Sequence, residues 1–94
     1  MIIVSGFNVY PHEVEEVIAQ MDKVVEVGVI GVPSKSGNER IKACVVTNDP
    51  SLSKEEIIEH CRLHLTAYKI PKIVEFYAEL PKTNVGKILR RMLR

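Results

Sequence analysis

The stretch V-V-E-V-G-V-I-G-V, residues 24–32, constrains the fold more than any other. It is β-branched and nearly all apolar, so it reads as a strand buried over most of its surface. A turn-rich connector, P-S-K-S-G-N-E, follows. Residues 40–47, R-I-K-A-C-V-V-T, then read as the returning strand. The two make a β-hairpin with a long loop, and the rest of the chain must cover it.

The flanking segments have the patterns to do so. Ile2-Ile3-Val4 is a short strand candidate that ends in the turn signal Ser5-Gly6. F-N-V-Y-P reads as a loop carrying two aromatics, and Pro11 suits the first position of a helix. Val14, Val17, Ile18 and Met21 follow at helical spacing. Glu13, Glu15 and Glu16 lie in the early turns, where the helix dipole favours negative charge. Ser53 and Glu56 have capping-box spacing before a second helix, with Leu52 and Ile57 placed for a hydrophobic staple. Ile57, Ile58, Cys61 and Leu65 share a face of that helix, which should end before Pro71. Residues 72–77, K-I-V-E-F-Y, read as a third main strand. A polar turn, P-K-T-N-V-G, leads into a short amphipathic helix with Ile88, Leu89, Met92 and Leu93 facing inward and Arg90, Arg91 and Arg94 outward. The expected order is β-α-β-β-α-β-α. That implies one two-layer α+β domain, three helices on a small mixed or antiparallel sheet, with no internal repeat or boundary.

At 94 residues the chain can bury one modest core. Its 46% hydrophobic and 27% charged residues exclude a disordered chain. No apolar run approaches a membrane span. The start M-I-I-V-S-G lacks the basic start and apolar core of a signal peptide, so the cytoplasm is the expected compartment. Cys44 and Cys61 stand far apart without a C-x-x-C, which excludes a disulfide framework and a zinc signature. Charge is unevenly spread. Residues 1–61 hold ten acids and five bases, whereas residues 62–94 hold eight bases and two acids. An anionic partner would meet the C-terminal third.

Several motifs bear on chemistry. Gly86-Lys87 invites a phosphate-loop reading, but Pro81 stands where that loop needs its first glycine, and Ile88 where it needs Ser or Thr. Asn84 after Lys82-Thr83 likewise breaks a K-T-G motif. What remains is a lysine on a glycine-containing turn. It is either a solvated surface charge or a compact positive charge aimed at a phosphoryl group, and spacing does not decide between them. His60 and His64, four apart on one helix, lack a third ligand, so no metal site is expected; by helical angle His64 borders the apolar face and His60 is the more exposed. Gly28-Val29-Ile30-Gly31 matches the G-x-x-G of an RNA-binding module. It lies inside an apolar strand rather than a loop between helices, so close packing is the better reading. No stacking aromatics interleave with the basic end, and no nucleic-acid partner is expected. Ser5 has no elbow context for a nucleophile.

Three stretches together resemble a known family. S-G-F-N-V-Y-P-H-E-V-E-E-V (5–17), L-T-A-Y-K-I-P-K (65–72) and P-K-T-N-V-G-K-I-L-R-R (81–91) are similar to the C-terminal domain of adenylate-forming, AMP-binding enzymes, with the flavour of bacterial long-chain fatty-acid–CoA ligases. The resemblance covers essentially the whole chain. It implies a mobile C-terminal domain over residues 1–94, with the large N-terminal domain for ATP and the acyl group absent. The implied reaction has two steps: a fatty acid attacks the α-phosphate of ATP, aided by Mg2+, to give acyl-adenylate and pyrophosphate, and coenzyme A then displaces AMP. By the match, Lys87 serves adenylation. Ser5, Gly6 and Phe7 line the pantetheine path during thioester formation, and Arg62 and Lys69 are candidates for the phosphates of coenzyme A. The implied partners are the chain's own N-terminal domain, fatty acid, ATP and coenzyme A, and the chain alone is expected to be inactive. Contact with the inner face of the membrane is left open. So are two other readings: a domain that loads a carrier protein, and a standalone anion-binding module that uses its basic end on anionic lipid or nucleic acid.

Overall fold

The computed structural model describes every residue except Ser36, Thr83, Asn84, Val85, Lys87, Leu89 and Arg94, and describes Arg91 by its backbone alone. Its elements run β1 (Ile2–Val4), β2 (Phe7–Val9), α1 (Pro11–Ala19), β3 (Val24–Pro33), β4 (Glu39–Thr47), α2 (Lys54–His64), a 3-10 turn (Ala67–Lys69), β5 (Ile73–Phe76) and a second 3-10 turn (Arg90–Leu93). The α+β class expected from the sequence holds, with three differences in detail.

The hairpin of β3 and β4 is the centre of the domain. The two strands pair antiparallel, with Val27 opposite Val45 and Val29 opposite Ala43. β5 joins β4 in parallel, Ala43 opposite Val74, giving a mixed sheet in the order β3-β4-β5. Parallel pairing needs a crossover between its strands, and α2 supplies it.

The apolar run in β3 is explained by cover on both faces. Val27 and Val29, with Ile41, Ala43 and Val45, pack against Val14 and Ile18 of α1 and Ile57 and Cys61 of α2. Ile30, Cys44 and Val46 point to the opposite face, as a period of two requires. Leu80, Ile88 and Leu93 of the C-terminal segment cover them there. At Gly28 that cover comes so close that an added Cβ would lie 3.0 Å from Leu93 and 3.2 Å from Ile88.

The helices begin where expected. Pro11 opens α1 behind an extended Tyr10. The Ser53 side chain accepts the Glu56 N–H at 3.2 Å and opens α2, while Leu52 and Ile57 are both buried beside it.

The first difference is β2, in a stretch expected to be a loop. Ser5 (φ 50°) and Gly6 (φ 84°) both adopt positive φ, so the turn reverses the chain in two residues. Phe7 then pairs with Val4, and Val9 with Ile2. The second difference is the unforeseen 3-10 turn at Ala67–Lys69, after α2 ends at His64. The third is the C-terminal helix, where the described residues form a 3-10 turn, Arg90–Leu93. Ile88 bridges to Lys82 in antiparallel fashion, so its backbone is engaged in pairing rather than in a helical turn. Leu93 is buried as expected, but Met92 is exposed, and Arg90 stays exposed as expected while reaching across to Glu15 of α1. The expected placements of Leu89 and Arg94 lie outside the described residues.

Candidate functional site

The Ser5-Gly6 turn carries Phe7 out of the core. Phe7 is 55% exposed, yet its ring stacks on Tyr68, with centroids 4.6 Å apart and planes at 21°. Tyr68 and Lys69 belong to the first 3-10 turn. The Lys69 Nζ donates to Glu13 Oε2 at 2.9 Å, and it also sits 5.8 Å from the Tyr68 ring centre. The bond to Glu13 raises the Lys69 pKa above its ordinary value. Two of the three motif stretches thus form one unit, with Phe7 and Tyr68 in contact and Lys69 bound to the first turn of α1.

Beside this unit lies an open cleft of about 1020 Å³. Its walls come from Ser5, from the loop between β3 and β4, and from residues 67–72. Three cations line it: Lys35, Arg40 and Lys72. None pairs with an acid among the described residues. The one acid in the lining, Glu39, is engaged elsewhere, its Oε1 accepting the Ile3 N–H at 3.1 Å. The cleft is therefore net positive and fit for an extended anion.

Sequence reasoning did not single out these three cations. Lys35 sits in a connector and Arg40 at a strand start, and only the hairpin's return brings them opposite Lys72. Arg62, which the resemblance suggested, does not line the cleft. It is exposed on the last turn of α2 and donates to Glu59 at 2.5 Å.

Lys87 lies outside the described residues, but its surroundings are placed. Lys82 and Ile88 pair in an antiparallel bridge, and Gly86 takes φ 85°. Lys82 forms an ion pair with Glu26 near the start of β3. Arg90 grips Glu15 of α1 with two nitrogens, Nη2 at 2.5 Å and Nε at 3.0 Å. The cleft opens by the other end of β3, next to Ser34. From Glu26 to Pro33 the strand runs roughly 23 Å at its rise per residue. The domain therefore offers two separate stations, the Ser5 cleft and the Lys82–Arg90 segment.

The remaining candidates have structural partners. His60 Nε2 lies 2.8 Å from the Val17 carbonyl and links the two helices, whereas His64 is exposed. This reverses the exposure expected from helical angle, because α2 presses its His60 side onto α1. His12 Nε2 lies 2.9 Å from Glu16 Oε1. Cys44 and Cys61 are buried free thiols. Lys42 donates to the Tyr77 hydroxyl at 3.1 Å and pairs with Glu75 at 3.2 Å, tying β4 to the end of β5. No described helix is long and apolar enough to cross a membrane.

The mixed three-stranded sheet carries two helices on one face and the basic C-terminal segment on the other, with the Ser5-Gly6 hairpin stacked on the Tyr68-Lys69 turn. The chain belongs to the AMP-binding enzyme C-terminal domain family, which matches residues 13–87. Over all 94 residues it is 64% identical to a long-chain-fatty-acid–CoA ligase of Yersinia pestis and 60% identical to one of Escherichia coli O6:H1. It spans 17% of the length of each. Among solved structures, a Mycobacterium tuberculosis fatty acyl CoA synthetase superposes with a TM-score of 0.95 at 44% identity, covering all of this chain and 19% of that one.

Proposed function

We propose that this chain is the C-terminal domain, residues 1–94, of a long-chain fatty-acid–CoA ligase. In that role it contributes to ATP-dependent adenylation of a fatty acid and to transfer of the acyl group to coenzyme A. The observation that carries the reading is the whole-chain identity to long-chain-fatty-acid–CoA ligases, 64% for the first relative named above. The two separate stations on the domain fit a reaction with two half-steps.

In the adenylation step, Lys87 offsets the negative charge gathered between the substrate carboxylate and the α-phosphate. In the thioester step, the Ser5-Gly6 turn and Phe7 flank the pantetheine arm, and Gly6 leaves the backbone open on the ligand side, with nothing within 4 Å of the place a Cβ would take. Lys35, Arg40 and Lys72 then face the phosphates of the nucleotide end. Lys69, bound to Glu13, orients the Tyr68 turn on which Phe7 rests. Among the described residues no group of three or more His, Cys, Asp or Glu side chains could hold a metal. In this reading Mg2+ travels with ATP in the large domain, which also supplies the acyl pocket, and no step on this chain runs through it.

The test is the double variant Arg40→Glu/Lys72→Glu in the full-length ligase. The KM for coenzyme A should rise at least about tenfold, a loss of roughly 1.4 kcal/mol or more, while pyrophosphate exchange stays at the wild-type rate. An unchanged KM for coenzyme A would remove the cleft from the reading.

A further inference from the structure

Glu15 is the one buried charged side chain among the described residues, 8% exposed. It lies in α1 next to Val14, on the flank of the apolar stripe, where a methionine or leucine would pack without desolvating a charge. Its carboxylate is fully engaged. Oε2 accepts the Val29 N–H at 2.8 Å and Arg90 Nε at 3.0 Å, and Oε1 accepts Arg90 Nη2 at 2.5 Å. Val29 belongs to β3, the outer strand of the sheet, so Glu15 binds α1, the sheet edge and the C-terminal segment at one point. Lys82, on the other leg of that segment, pairs with Glu26.

Two kinds of contact hold the segment, and they do different work. Ile88 and Leu93 seat it on Gly28. Apolar contact of this kind fixes the distance to the sheet but is not directional. A two-pronged arginine–carboxylate pair is directional and tolerates little sliding. An ion pair with one partner half exposed adds little net stability, because solvent screening weakens the attraction and desolvation of the buried carboxylate offsets it. Its value here is therefore in register.

We propose that Glu15 is a positioning residue: through Arg90 it holds the Lys82–Leu93 segment in the one register that presents the Lys87 turn for adenylation. This rests on the role proposed for Lys87 above. Neither Glu15 nor Arg90 needs to touch substrate, and the thioester station is served by other residues.

The experiment uses the full-length ligase carrying Glu15→Gln, Arg90→Lys, the double variant and, as reference, Lys87→Ala. Pyrophosphate exchange, thioester formation from pre-made acyl-adenylate, and Tm are measured on each. Glu15→Gln should lower the kcat of exchange about 10- to 100-fold, the scale expected of a misplacement near 1 Å, with thioester formation within about twofold of wild type. Arg90→Lys should lose part of that rate, because an ammonium cannot span both oxygens. The double variant should be no worse than Glu15→Gln, since the two residues act as one unit. Arg90 is partly exposed, so its lysine variant reports even if Glu15→Gln fails to fold. Wild-type exchange in Arg90→Lys and Glu15→Gln, or loss of both half-reactions in step with Tm, would overturn the proposal. If Lys87→Ala itself leaves exchange intact, the reading of Lys87 fails, and the positioning role falls with it.

Discussion

Gly28→Val tests whether the C-terminal segment truly seats on the second face of the sheet. An added Cβ would lie 3.0 Å from Leu93 Cδ1, 3.2 Å from Ile88 Cγ2 and 3.7 Å from Leu80 Cδ1. The first two contacts are tighter than ordinary carbon–carbon packing of about 3.5–4.0 Å. Leu93 Cδ1 and Leu80 Cδ1 are side-chain tips that can shift, whereas Ile88 Cγ2 is held on its Cβ, so a single methyl is only partly accommodated. Gly28→Ala also gains about 0.4–1 kcal/mol from the stiffer unfolded chain, and should stay within about 1 kcal/mol of wild type. Valine adds two more methyls to a filled seat and should cost about 1–3 kcal/mol by overpacking. For a domain of this size that is a fall in Tm of roughly 4–8 °C per kcal/mol. Urea unfolding of the 94-residue chain measures it, with an unchanged slope confirming that stability alone moved. Adding Leu93→Ala makes room, so the double variant should lose at least about 0.5 kcal/mol less than the sum of the singles. Wild-type stability in Gly28→Val, or strictly additive losses, would refute the packing argument.

Two further outcomes follow from the structure. Ser53→Ala removes the acceptor for the Glu56 N–H and should cost about 1 kcal/mol in the same urea assay. Burial pushes the Cys61 thiol from its ordinary 9.0 to about 11. The unfolded chain then loses this proton first, so the native state binds more protons between those values and stability falls as pH rises from about 9 to about 11. The difference between wild type and Cys61→Ala, followed by urea midpoints from pH 8 to pH 11, should narrow over that window and stay constant below it.

The sequence carried the central hairpin, both helices and the capping of α2, because each is written in local pattern: β-branched runs, helical spacing, a Ser at the cap. It did not carry β2. Phe7, Asn8 and Val9 are too few to show a period, and only the positive φ of Ser5 and Gly6 reveals a hairpin. The apolar spacing of the C-terminal turn fits an amphipathic helix, but its first apolar residue, Ile88, is taken by a strand bridge. Of the candidate site, the motif stretches were visible as a resemblance, while the Lys35–Arg40–Lys72 cleft was not. Its residues meet only through tertiary folding, and each alone is an ordinary surface charge. Helical spacing turns Arg90 outward, and it is exposed, but its pairing with Glu15 leaves no local signal because that acid is 75 residues away in sequence.

The most direct test of the central claim is Lys87→Ala in the full-length ligase, with the two half-reactions measured apart. Pyrophosphate exchange reports adenylation, and thioester formation from pre-made acyl-adenylate reports the second step. The account predicts that exchange collapses by about 10²–10³-fold, the scale of losing one charge-stabilising group, while thioester formation proceeds as in wild type. Wild-type rates in both assays would show Lys87 to be a surface charge and contradict the account.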